Sequence, residues 1–217
     1  LFKNSKYADR YVIGEKNILE SFPYETIKRF YKDWYRPELM TVVAVGDFDK
    51  KKIEELIKEH FSKLTDPDKS RPYVRYPIPG HKETLYAIAS DKEAPYSSVT
   101  VYNKFQAEPE VTVGDYRKNT VERLFSNMLS QRLNELTQQP NAPFAFGGGG
   151  KGRFIGDAEV FTLQAFGVKD NRMADCLDVL LTEYEKVNRF GFTATEMERA
   201  KVSTLRNYEK SASEKDK

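Results

Sequence analysis

The chain has 217 residues, enough for one large domain or two smaller ones, and its single cysteine, Cys176, excludes a disulfide scaffold and the cysteine pairs of common zinc sites. A formal charge of +2, from 35 Lys plus Arg against 33 Asp plus Glu, gives no electrostatic reason to expect nucleic acid or an anionic membrane as the main partner. The longest apolar run, Met40 to Val45, falls far short of the roughly 20 residues that cross a bilayer, so no transmembrane segment is expected.

Taken in chain order, the first helix is signalled by Pro23 and by Ile27, Phe30, Tyr31 and Trp34 at i, i+3, i+4, i+7 spacing; Pro37 ends it. Leu39 to Val45 is a β-branched run closed by Gly46-Asp47, the pattern of a strand covered on both faces. Asp49 caps a second helix through Lys63, with Ile53, Leu56, Ile57 and Phe61 on its stripe. One strand cannot bury two such helices alone, so residues 1–66 read as part of a larger domain. The start at Leu1-Phe2-Lys3, without Met, and the close on Glu209 to Lys217, without a Gly or Pro stop, both read as cuts within a longer polypeptide.

Periodicity then lapses and Pro67, Pro72, Pro77 and Pro79 mark residues 67–80 as a linker. Residues 81–217 form the second domain. Thr84 to Ser90 and Ser98 to Phe105 alternate as strands, and Thr112 with Asp115 caps a long helix carrying Leu124, Met128, Leu129 and Leu133 until Pro140. Phe144 to Phe146 and Glu159 to Val168 read as two strands around a glycine-rich turn. A helix with Met173, Leu177, Leu180, Leu181 and Tyr184 follows, stopped by Gly191, and Thr193 with Glu196 makes a capping box for the last helix. The order ββαββαα predicts an α+β fold: two layers, a mainly antiparallel sheet with helices on one face.

Candidate chemistry is sparse. His60 lies on a helix stripe and His81 in the linker, neither with a second His at i+3 or i+4, so no metal site within this chain is expected. Serines such as Ser126 and Ser130 have no histidine in a triad pattern, and no catalytic residue is assigned. The run from Gly147 to Lys151 fails as a phosphate loop, because Ala145 stands where the leading Gly belongs and Gly152 where Ser or Thr belongs. Gly147, Gly148, Gly149 and Gly150 instead read as a turn whose bare backbone could meet an extended peptide. They are the candidate substrate-binding residues.

Three segments carry a resemblance. Ser5 to Gly14, with Arg29 to Met40 and Val42 to Asp49 after it, is similar to the Tyr-Ala-x-Arg-x-x-Ile-Gly stretch and its sequel in the pitrilysin/insulinase family of zinc metallopeptidases, which includes the mitochondrial processing peptidases. Ser130-Gln131-Arg132-Leu133 resembles that family's Ser-x-Arg-Leu pattern, and Gly191 to Lys201 its Gly-x-Thr-x-x-Glu-x-x-x-Ala-Lys segment. The resemblance implies a zinc-dependent endopeptidase whose inverted H-x-x-E-H motif and later Glu hold the metal. It also implies that those ligands precede Tyr7, so this chain is expected to be the inactive portion downstream of them, with the first domain truncated. Implied partners are peptide or protein substrates and either the remaining domains or a paired subunit; a family member without the zinc motif, acting as partner subunit or scaffold, is the alternative. The expected compartment is a bacterial periplasm.

Overall fold

The computed structural model describes residues 1–10, 12–169 and 171–215; Tyr11 of the Tyr7 to Gly14 segment and the final Asp216-Lys217 lie outside the described residues. The chain divides into two compact units, Leu1–Tyr76 and Pro77–Lys217.

The first unit is helical: α1 (Lys6–Asp9), α2 (Lys16–Ser21), α3 (Tyr24–Trp34), a 3-10 turn at Pro37–Leu39 and α4 (Lys50–Phe61). Asp49 caps α4 by accepting from the Lys51 amide at 2.8 Å and the Lys52 amide at 3.1 Å. A polar clasp organises the end of α3. The buried Arg36 guanidinium donates to the carbonyls of Asp33 and, at 3.0 Å, Arg71 and pairs with Glu38, while Arg71 pairs with Asp33 at 2.9 Å. Both guanidinium groups stand 5.7 Å from the Trp34 ring.

Among the described residues, this unit buries Ser5 and Arg36 but no large apolar side chain. Ile27, Phe30 and Tyr31, expected to be an inward stripe, are each more than half exposed. The strand expected over Leu39 to Val45 is corrected here: residues 40–45 join no ladder among the described residues, and Val45 is 92% exposed. A strand exists only where a neighbour takes up its amides and carbonyls, and the described residues of this unit supply none.

The second unit contains β1 (Ser98–Gln106), α5 (Val113–Leu136), β2 (Phe146–Ile155), β3 (Ala158–Phe166), α6 (Met173–Phe190) and α7 (Ala194–Glu214). The sheet is antiparallel in the order β1-β3-β2, with Leu163 of β3 opposite Val101 on one side and Gly149 on the other. Leu129 and Leu133 of α5, Phe144, Leu163, Ala165 and Leu180 of α6 form the core, so α5 and α6 cover one face of the sheet. That is the α+β two-layer arrangement. The strand expected over Thr84 to Ser90 is absent, and the strands number three among the described residues.

Two features differ from expectation within otherwise predicted elements. The buried face of α6 is Cys176, Leu180, Glu183 and Val187, at i, i+4, i+7, i+11, whereas Leu181 is exposed and Tyr184, 38% exposed, rests its ring 5.5 Å from Phe161 at the margin of that face. Glu183 is held there by Lys186, whose Nζ donates at 2.6 Å. The glycine run is not a turn: it lies inside β2, and the reversal to β3 is made by Gly156-Asp157, with Gly156 at φ +55°, the left-handed region that Gly enters freely.

With no buried apolar core in the first unit, its local opening should cost far less than that of the second. Limited proteolysis of the chain should cut first before Ser98 and leave a resistant fragment from about β1 to α7. Early cleavage within α5, or equal survival of both units, would contradict this.

Candidate functional site

The expected site residues sit where β2 meets α5. Gly147, Gly148 and Gly149 are buried and Gly150 half-buried. A Cβ on Gly147 would stand 2.8 Å from Phe144 Cε2, one on Gly149 2.8 Å from Leu163 Cδ2 and 3.0 Å from Leu129 Cδ2, and one on Gly150 2.7 Å from Ser126 Cβ. Only at Gly148 is the nearest atom, Phe146 Cε1, at an ordinary 3.7 Å. Gly147, Gly149 and Gly150 are therefore glycine because Phe144, Leu163 and helix α5 approach their backbone too closely for side chains.

Two serines one helical turn apart finish that contact. Ser130 Oγ donates to the Gly149 carbonyl at 2.9 Å and lies 3.2 Å from the Gly149 amide; Ser126 Oγ accepts from the Lys151 amide at 3.3 Å and donates to the Glu122 carbonyl at 2.8 Å. Helix α5 thus occupies main-chain groups of β2 that an added strand would need. The bare backbone expected to meet a peptide meets α5 instead. Beside it the Lys151 ammonium lies 2.9 Å from Glu122 and 3.0 Å from Glu159. Burial pulls its pKa down, but hydrogen bonds to the two carboxylates outweigh burial and hold it above the ordinary lysine value.

A second constellation lies further along α5. Arg132 Nε donates to Glu196 Oε1 at 2.8 Å and Nη2 to Oε2 at 2.7 Å, a bidentate pair between α5 and α7. The same Glu196 accepts from the Thr193 amide at 2.7 Å and the Thr193 hydroxyl at 2.9 Å, closing the capping box of α7. The Arg132 guanidinium also sits 5.2 Å from the Phe192 ring centroid. Hydrogen bonding from Arg132 first, then from Thr193, overcomes burial and lowers the Glu196 carboxyl from 4.5 to about 2. Ser130, Arg132 and Leu133 thus serve the sheet, α7 and the core from one short stretch. In the sequence Ser126 is only a serine without a histidine in a triad pattern, Ser130 and Arg132 belong to the Ser-x-Arg-Leu segment and Glu196 to a separate one; nothing in their spacing says that they meet.

The donor set for zinc does not fit. Exposed His60 sits on α4; the His81 ring nitrogen Nδ1 lies 2.7 Å from the Glu83 carbonyl oxygen; Cys176 is buried with Sγ 3.4 Å from the Pro143 carbonyl, and burial pushes its thiol pKa up. Among the described residues no group of three His, Cys, Asp or Glu could hold a metal ion.

Comparison with known proteins shows the family. Residues 21–203 match the family model described as the peptidase M16 inactive domain, and the chain belongs to the peptidase M16 family. It is 37% identical over 145 residues to a zinc protease PQQL-like protein of Arabidopsis thaliana, covering 66% of this chain and 15% of the relative. It is 28% identical over 209 residues to the probable zinc protease PqqL of Escherichia coli, covering 94% of this chain and 22% of the relative. The chain thus spans under a quarter of these relatives. Its fold matches the crystal structure of the periplasmic protease PqqL from Escherichia coli with a TM-score of 0.85 at 22% identity, covering 99% of this chain and 24% of that one. It also matches a predicted insulinase family protease from Yersinia pestis with a TM-score of 0.73 at 17% identity, over 96% of this chain and 44% of that one.

Two predictions follow from the geometry. A carboxyl depressed from 4.5 to about 2 stabilises the fold fully above pH 4.5 and loses that contribution as pH falls through about 2. The stability gap between wild type and Glu196→Gln, read from urea unfolding, should therefore shrink by about 2–3 kcal/mol from pH 6 to pH 2; a gap independent of pH contradicts the assignment. For the strand, Gly149→Ala and Gly150→Ala should each destabilise by about 1–3 kcal/mol, with Gly148→Ala within about 0.5 kcal/mol of wild type. Equal effects at all three would remove the packing explanation.

Proposed function

We propose, with membership of the peptidase M16 family as the premise, that this chain is a non-catalytic portion of a zinc-dependent endopeptidase and helps to enclose and position peptide substrates. Residues 1–66 are the C-terminal part of the zinc-bearing domain, residues 67–80 the linker, and residues 81–217 the second, non-catalytic domain. Zinc and the water-activating carboxylate come from elsewhere in the full-length protein, and this chain supplies a wall against which the substrate lies. The observation that carries the reading is the match of residues 21–203 to the inactive domain. The relatives in Arabidopsis thaliana and Escherichia coli are zinc proteases, which supports that activity for the whole protein, and the Escherichia coli protease is periplasmic, which supports a periplasmic location.

In this reading Gly147, Gly148, Gly149 and Gly150 contribute to substrate handling through the shape of the wall. The close contact of Gly149 and Gly150 with α5 sets the position of β2, which pairs with β3 along its length.

The test is elemental analysis and peptide cleavage on the full-length protein and on this chain, each after dialysis. The full-length protein should hold about one zinc and cleave unfolded peptides, and the chain should hold none and cleave nothing. A full-length protein without zinc would instead indicate an inert partner subunit. Tightly held zinc on the isolated chain would overturn the proposal.

A further inference from the structure

Residues 66–76, the proline-marked stretch after α4, are gripped by the end of α3 and the 3-10 turn that follows it. The Glu38 amide donates to Asp66 Oδ1 at 2.9 Å. A hydrogen bond from Ser70 first, then the charge of Arg36, overcome desolvation and hold the Glu38 carboxyl below its ordinary value. Arg71 is held twice: its carbonyl accepts from Arg36 Nη2 at 3.0 Å, and its Nη1 donates to Asp33 Oδ2 at 2.9 Å. The Tyr73 ring stands edge-on to Trp34 with centroids 6.2 Å apart, and the Arg10 guanidinium lies 5.2 Å from the Tyr76 ring centroid.

Arg36 is the centre of this grip. It is 6% exposed and reaches Asp33, Glu38 and Arg71 at once. A buried guanidinium is costly to leave without its acceptors, so the stretch and the end of α3 hold one another in place. The Arg71–Asp33 pair is more open to water and weak on its own, which makes it an adjustable member of the set. The first unit ends at Tyr76, and within the second the Pro79 carbonyl accepts from Lys104 Nζ at 3.1 Å.

We propose that residues 66–76 are a strap latched onto the first unit through Arg36 and released as one piece, and that while it is latched the joint between the two units is Pro77-Ile78. This goes beyond a reading of residues 67–80 as one uniform linker. Proline fixes φ at Pro77 and again at Pro79, so the latched joint is short and stiff. Release of the strap converts the whole stretch into an extended, semi-rigid tether with a longer reach. The latch thus sets how far the second unit can move from the first.

Trypsin cleavage of the full-length protein, followed site by site by mass spectrometry, reads the latch directly. Lys69 and Arg75 lie inside the strap and exposed Lys82 lies outside it. In the wild type both strap sites should be cut at least about ten-fold more slowly than Lys82. Asp33→Asn weakens the hold on Arg71 and leaves Arg36 in place; it should speed cleavage at Lys69 and Arg75 together by about three-fold. Arg36→Met should speed both further, while Lys28 and Lys32 within α3 keep their wild-type rates. Wild-type cleavage at Lys69 or Arg75 as fast as at Lys82 overturns the proposal without any variant. So do unchanged rates in Arg36→Met, acceleration at only one of the two strap sites, or acceleration that Lys28 and Lys32 share.

Discussion

Arg132 and Glu196 are 64 positions apart, yet four groups converge on their junction: a guanidinium from α5, a carboxylate from α7, and the amide and hydroxyl that start α7. A half-buried carboxylate left without these donors would be costly, so α7 can begin only where α5 presents Arg132. Glu183, buried on α6, adds to the field that stabilises the Arg132 charge, tying the third helix to the same point. The helical layer is thereby fixed by one charged junction and not by apolar packing alone.

From that junction the sheet is positioned. Ser130 lies two residues before Arg132 and holds the Gly149 peptide group, and Leu133, one residue after, enters the core. A helix can come this close to a strand only if the strand has no side chains at the contact, which is what Gly147, Gly149 and Gly150 provide. Glycine here weakens the strand's own preference for extended structure by roughly 0.5–1 kcal/mol per residue; the serine hydrogen bonds and the closed edge offset that loss.

The helices were legible because their signals are local: Thr112 with Asp115, Thr193 with Glu196, Asp49 before Lys50, Gly191 after Phe190. Strands depend on distant neighbours, and there the reading failed in two ways. Leu39 to Val45 and Thr84 to Ser90 carry strand composition but pair with no strand among the described residues. Gly147 to Gly150 read as a turn because four consecutive glycines lack strand propensity, although Gly156-Asp157, flanked by Arg153 to Ile155 and Ala158 to Val160, carries the two-residue hairpin signal. The junction of Arg132 with Glu196 was visible only as two family-like segments. That they are one physical unit required coordinates.

The most direct measurement is a double-mutant cycle on Arg132→Met and Glu196→Gln, with unfolding free energies from urea titration near neutral pH. If the junction organises the helical layer, the two substitutions are strongly non-additive, with a coupling of at least about 1.5 kcal/mol and the double variant little worse than either single one. Additive losses, with a coupling under about 0.5 kcal/mol, would mean that α5 and α7 are held by something other than this pair.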